Sequence, residues 1–234
     1  MSKFPLCLHH ELALLVLDDS KGTFEGSMYQ YGFAGAIMSE LLLQGYIEVT
    51  DDKDSLVSVK VNKPTGDSIM DEVLDKVAES AKPRTLQYWV SQIAGLKNLK
   101  QRIADQLCEL GIVSQQEGKV LWLFTRKIWP ELDGSYEDAI RKRMADAMFS
   151  ESTQPDDRTA VLIAFANSSG VMNTNFASVE LRQHAARVKT ICEGKLLAAG
   201  ATQDAIAAVQ AAIMCAVIAS TVATSVAASA TARS

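Results

Sequence analysis

Catalytic signatures are missing from this sequence. It has no Gly-x-Ser-x-Gly elbow, no phosphate loop closing on Gly-Lys-Ser/Thr and no His-Glu-x-x-His pair, so no nucleophile, nucleotide cradle or helical zinc site announces itself. Histidine is scarce. His9 and His10 adjoin Glu11, and neighbouring helical residues point to different faces, which makes a poor metal site; His184 stands alone. All three read as surface or interface residues. Cysteine is sparse too. Cys7, Cys108, Cys192 and Cys215 form no Cys-x-x-Cys pair, and none is read at metal-ligand spacing from a histidine. They are expected to be small buried hydrophobes in a reducing compartment rather than a disulfide framework. Neither a metal nor a cofactor is expected.

A basic excess is also lacking. Lys and Arg total 23 against 28 Asp and Glu, a net charge of -5. That argues against nucleic acid as a main partner and leaves room for a local basic patch facing anionic lipid. The opening Met1-Ser2-Lys3-Phe4-Pro5 lacks a signal-peptide pattern, because the apolar run after it is broken by His9, His10 and Glu11. A cytoplasmic chain is expected. No linker rich in Pro, Gly or Ser and no internal repeat divides the 234 residues, so a single domain spanning 1–234 is expected, with length enough for a real core.

What is present reads mostly as helix. Apolar residues recur at helical spacing over 10–17 and 30–43, the second run stopped by Gln44-Gly45. Residues 46–49 and 56–61 alternate around Asp51-Asp52-Lys53-Asp54, a hairpin. Asp67 is the expected N-cap of a helix through Ala78. Helices are expected over 85–93, 97–110 with Gly111 at C′, 136–149 capped by Ser135, 158–167 and 179–192. A second hairpin is expected from Ile112 to Phe124, with Glu117-Gly118 in its turn. The fold class is therefore mostly α: a single helical-bundle domain with two β-hairpins.

From Ala205 to Ala232 there is no charged residue, a length that could span a bilayer. The segment is mainly Ala with Ser and Thr, which insert weakly. Its large residues Ile206, Val209, Ile213 and Val217 form one stripe. A central helix buried within the domain is expected rather than an anchor.

The segment Leu6-Cys7-Leu8-His9-His10-Glu11-Leu12-Ala13-Leu14-Leu15-Val16-Leu17-Asp18-Asp19 resembles the N-terminal signature of the Golgi phosphoprotein 3 family. The likeness continues through Lys21-Gly22-Thr23, Gly32-Phe33-Ala34-Gly35-Ala36 and Glu40-Leu41-Leu42-Leu43-Gln44-Gly45-Tyr46-Ile47. It runs on through Pro64-Thr65-Gly66-Asp67, the helix around Trp89, Leu96-Lys97-Asn98-Leu99-Lys100-Gln101-Arg102-Ile103-Ala104, Leu110-Gly111-Ile112 and Arg158-Thr159-Ala160-Val161-Leu162-Ile163. The Ala-rich terminus and the short loop around Gly95 resemble the bacterial branch, to which a Golgi role does not transfer.

The resemblance implies a non-enzymatic, peripheral membrane adaptor that binds phosphatidylinositol 4-phosphate in a shallow basic pocket. The two basic positions of that pocket fall on Lys97 and Lys100, with Arg102 beside them. An i, i+3 pair near a helix N-terminus suits a phosphate; the competing reading is a solvated basic face. The pocket's Trp falls near Glu25 and its Arg on Ala34, which weakens the site. Arg126-Lys127 and Arg141-Lys142-Arg143 either extend a positive face or are solvated. The matching hairpin mediates self-association in the family, so Val120, Trp122 and Phe124 are the expected homo-oligomer contact, with a plain buried strand as the alternative. Glu11 and Glu40, carboxylates on apolar helices, are read as solvated or capping. The remaining alternative is a soluble oligomeric scaffold for protein clients that has lost the lipid site.

Overall fold

The computed structural model describes residues 6–18, 21–24, 29–50, 54–120, 124–196 and 203–231. Helix α1 (Leu8–Val16) is entered from an extended Cys7 and is buried along its whole length. It starts two residues earlier than the periodicity predicts and has no polar face. β1 (Leu17–Asp18) and β2 (Thr23–Phe24) form a short antiparallel pair. The turn between them needs glycine, because Gly22 has φ +60 and an added Cβ would meet Pro130 N at 2.9 Å.

α2 (Tyr29–Leu43) ends where Gln44-Gly45 is expected to stop it, with Gly45 at φ +72. β3 (Ile47–Val49) pairs with β4 (Leu56–Val59), Glu48 opposite Ser58, as the alternation predicts. The sequence reading misses a third strand, β5 (Arg84–Thr85), which adds to the far edge of β4. Two residues carry no periodicity, so this strand had no signal of its own.

Asp67 caps α3 (Ser68–Ala78) as expected, its carboxylate accepting from the N–H of Ile69 and Met70 at 2.9 and 2.8 Å. Thr85 caps α4 (Leu86–Ala94) by accepting from the N–H of Tyr88, and α5 (Leu99–Glu109) follows. In the second hairpin, β6 (Gln116–Val120) runs antiparallel to β7 (Phe124–Ile128). Glu117-Gly118 therefore lies within a strand, not in the turn. Gly118 is there because Ile128 crosses the strand face, and a Cβ would sit 2.9 Å from Ile128 Cγ2.

The second half is helical: α6 (Ser135–Phe149), α7 (Asp157–Ser168), α8 (Met172–Asn175), α9 (Ser178–Gln183), α10 (Ala185–Cys192) and α11 (Gln203–Thr231). Ser135 is already helical, and Asp133 Oδ1 accepts from its N–H instead. The single helix expected over 179–192 breaks at His184, which leaves the helical backbone region and packs its ring against Phe149.

α11 packs most extensively on α2, and also on α7 and α4. Gly35 makes the close approach possible: a Cβ there would meet Phe165 Cε1 at 2.8 Å and Cys215 O at 3.1 Å. Ser39 Oγ, buried, bridges Gly35 O at 2.9 Å and Ala212 O at 3.0 Å. The buried seam of α11 is thus Ala212, Cys215, Ala216 and Ala219, flanked by Val209, Ile213 and Val222. This corrects the expected stripe. Val209 and Ile213 are buried, but Val217 is 53% exposed, because small side chains occupy the face that must lie close to α2. The helix is docked by one face rather than enclosed. Residues 206–229 are long and apolar enough to cross a membrane, and less than half of that apolar stretch is buried in the domain.

Truncating the chain before residue 205 should abolish cooperative unfolding. Val209, Ile213 and Val222 alone bury about 1.5–3 kcal/mol each, and the exposed α2 face loses its cover, against a typical stability of about 5–15 kcal/mol. Circular dichroism melts of full and truncated chains decide this. An unchanged cooperative melt after truncation would contradict the packing role of α11.

Candidate functional site

Lys97 and Lys100 do not share a helix face as the spacing predicts. Helix α5 begins at Leu99, so Lys97 lies in the preceding turn and Lys100 in the first helical turn. The cause is Asn98, which takes a left-handed conformation at φ 56 and ends any continuous helix from 97. Asn98 occupies the N-cap position, yet its side chain makes no capping bond. Both lysines are exposed, and neither forms an ion pair among the described residues. Arg102 differs. Half-buried, it is held by Glu72 at 2.6 Å, so much of its charge is already answered. Ala34 is fully buried in α2 and presents nothing to solvent. Glu25 lies outside the described residues.

The other basic runs are largely paired already, and the side chain of Arg126 lies outside what the structure describes. Arg141 pairs with Glu137 at 2.6 Å, Lys142 with Asp146 at 2.7 Å and Arg143 with Glu11 at 2.9 Å. Lys127 donates to Gln115 Oε1 at 3.1 Å. In the hairpin, Val120 stands opposite Phe124 as the last strand pair before the connection. Val120 and Phe124 therefore belong to different strands, not to one strand with Trp122. Trp122 and the side chains of Val120 and Phe124 lie outside what the structure describes.

Two buried polar clusters were missed by reading the sequence. Glu11 and Glu40, read there as solvated or capping, converge on Arg158. Arg158 Nη1 donates to Glu40 Oε1 at 2.8 Å and its Nε stands 3.4 Å from Glu11 Oε2. Glu40 Oε2 also accepts from the N–H of Leu8 at 2.6 Å. Burial works against the charge of Arg158, but Glu11 and Glu40 outweigh it and raise its pKa. The two carboxylates are thus held as ion-pair acceptors, not as an acid and base sharing a cleft.

The second cluster overturns the surface reading of the histidines. His9 and His10 are buried, with ring centroids 4.1 Å apart. Because α1 is enclosed on every side, different faces still mean interior, and first-turn side chains lean back toward the helix N-terminus. They meet Asp67, whose Oδ2 is 3.3 Å from His9 Nε2 and accepts from Gln106 Nε2 at 3.0 Å. Cys7 N–H donates to His10 Nδ1 at 3.2 Å, closing a capping box, and His10 Nε2 is 3.0 Å from Gln106 Oε1. Burial, with Glu40 and Asp67 nearby, pushes the Cys7 thiol up to about 12. Burial opposes the charge of Asp67, yet the contact with His9 and the N–H of Met70 keep its carboxyl well below the usual range.

The family model for Golgi phosphoprotein 3 (GPP34) matches residues 8–209. This chain belongs to the Golgi phosphoprotein 3 family. It is also 24% identical over 209 residues to the vacuolar protein sorting-associated protein 74 of Eremothecium gossypii, covering 75% of this chain and 62% of that relative. The chain thus spans less than two thirds of the relative it matches. Within the Golgi phosphoprotein 3 family match lie α1 to α10 and the start of α11; the small-residue seam of Ala212, Cys215, Ala216 and Ala219 lies beyond it.

Buried His10 gives a pH dependence. Burial, then the neighbouring His9, lower the pKa of His10 from 6.5 to about 3. The unfolded chain takes up this proton near 6.5 and the folded chain only near 3, so His10 costs nothing above that window. Stability falls as pH drops through it, by up to about 1.4 kcal/mol per pH unit. Asp67, with its pKa depressed, adds a loss of the same sign at lower pH. His10→Gln keeps a capping-box acceptor at this position and should flatten the slope. Urea midpoints across the window, in metal-free buffer, measure it; equal slopes for the two proteins would contradict the assignment.

Proposed function

We propose that this member of the Golgi phosphoprotein 3 family is a non-enzymatic peripheral membrane adaptor, built as one domain over 1–234. It binds an anionic phospholipid head group, phosphatidylinositol 4-phosphate being the candidate, at the N-terminus of α5. The carrying observation is that Lys97 and Lys100 are exposed and without ion-pair partners among the described residues, beside a helix end that Asn98 does not cap. Free helix N–H groups and two ammonium groups suit a phosphate. Arg102, tied to Glu72, serves as a positioning neighbour. The protein works at the cytoplasmic membrane surface, self-associates through the hairpin carrying Val120, Trp122 and Phe124, and presents its other faces to protein clients. Nucleic acid is not among its partners.

A second reading, a soluble oligomeric scaffold without lipid affinity, is favoured by one observation: Ala34 is buried and offers no ligand where the family resemblance puts an Arg.

Sedimentation with liposomes separates the two. Vesicles containing phosphatidylinositol 4-phosphate or phosphatidylglycerol should pull down the protein at low salt, and neutral phosphatidylcholine vesicles should not. Each basic residue near such a surface contributes about 1 kcal/mol, so Lys97→Glu with Lys100→Glu should weaken binding by more than about tenfold. Equal recovery with neutral and anionic vesicles would sink the adaptor reading.

A further inference from the structure

We propose that Cys7, His9, His10 and Asp67 bind one divalent transition-metal ion of the zinc class. One donor atom from each of these four residues lies within 4.8 Å of all the others. A tetrahedral zinc site, with bonds of about 2.0–2.3 Å, sets its donors roughly 3–4 Å apart, so the cluster needs only a small contraction.

An independent observation comes from His9. It is fully buried; Nδ1 has no partner, and Nε2 stands 3.3 Å from Asp67 Oδ2 without completing a hydrogen bond. A buried imidazole left this way is costly, and an ion accepting its lone pair removes the cost. The nitrogen that faces Asp67 Oδ2 at 3.3 Å is the natural donor.

Charge and ligand type agree with this choice. The Asp67 carboxylate and a Cys7 thiolate together neutralise a dication. Binding breaks the Cys7 S–H bond and forms the metal–sulfur bond, and the proton leaves to solvent. A sulfur, nitrogen and oxygen set favours zinc or cobalt over magnesium or calcium.

His10 is the conditional member. Its Nδ1 accepts from Cys7 N–H, so Nε2 carries the proton and donates to Gln106 Oε1. Ligation through Nε2 moves that proton to Nδ1 and ends both contacts. Cys7, His9 and Asp67 bind without that exchange, and His10 closes the fourth position by making it. Gln106 keeps its bond to Asp67 Oδ2 and orients that ligand from outside. With His10 in the fourth position no coordination site is left open for substrate, which marks a structural ion. It fastens the segment entering α1 to the start of α3, independently of any lipid site.

The test is titration of the full, chelator-treated chain with zinc, and separately with cobalt as a spectroscopic probe. One ion per chain is expected, and the cobalt form should show tetrahedral visible bands with a thiolate charge-transfer band. Cys7→Ser should abolish that band, and His9→Gln should weaken zinc binding by more than about 100-fold, beyond the 10–100-fold typical of outer-shell changes. Cys108→Ser, a thiol outside the cluster, should change nothing. Circular dichroism confirms that each variant is folded; should a ligand variant fail to fold, the wild-type cobalt spectrum decides. Absence of stoichiometric binding by the wild type, or a charge-transfer band that survives in Cys7→Ser, would overturn the site.

Discussion

Arg158 sits in the first turn of α7 with its guanidinium between Glu11 of α1 and Glu40 of α2. Its other amino group reaches the carbonyl of Leu6, just ahead of α1. Arg143 of α6 completes the cluster by gripping both oxygens of Glu11, at 3.2 and 2.9 Å. Two carboxylates face two guanidinium groups, so the interior carries no net charge there. A neutralised buried cluster adds little net stability, but losing one member strands a charge and costs about 3–5 kcal/mol. Its main effect is on register: α1, α2, α6 and α7 cannot slide past one another without unpairing it.

Much of the remaining architecture follows from that fixed point. With α1 and α7 set against α2, α11 closes on the Gly35–Ser39 face of α2 through small side chains, beside Phe165 of α7. The same clamp presents the start of α1, where Cys7, His9 and His10 meet Asp67. Further along the chain, α3 and α4 carry the scaffold to the turn before α5, where two lysines emerge without ion-pair partners among the described residues. The buried polar groups and the exposed basic ones thus have separate tasks. One set orders the helices, and the other is free to meet an anion.

The sequence was legible where local chemistry decides structure. Asp67, Gly45 and Gly111 each sit where capping rules expect them, because a cap needs only its neighbours. The family resemblance, carried by ordered motifs along nearly the whole chain, is supported by the match over residues 8–209. Errors arose where tertiary contact decides. Asn98 breaks the helix before Leu99, although nothing in Lys97-Asn98-Leu99 demands it. Glu117-Gly118 resembles a turn, yet Gly118 is a strand residue making room for Ile128. The polar residues of α1 look surface-facing in one dimension, and only the packing of α2, α5, α6 and α7 around them shows that they are interior. Val217 failed for a related reason: hydropathy favours burying the valine, while the close approach of α2 favours alanine.

The claim that the Arg158 cluster fixes the packing of the N-terminal half is best tested by a double-mutant cycle in urea denaturation, using Arg158→Met, Glu40→Gln and the two combined. Each single change should cost about 3–5 kcal/mol, since each strands a buried partner. The double change should cost clearly less than the sum, with a coupling energy of roughly 1–3 kcal/mol. Single changes that are mild and add within about 0.5 kcal/mol would contradict the account.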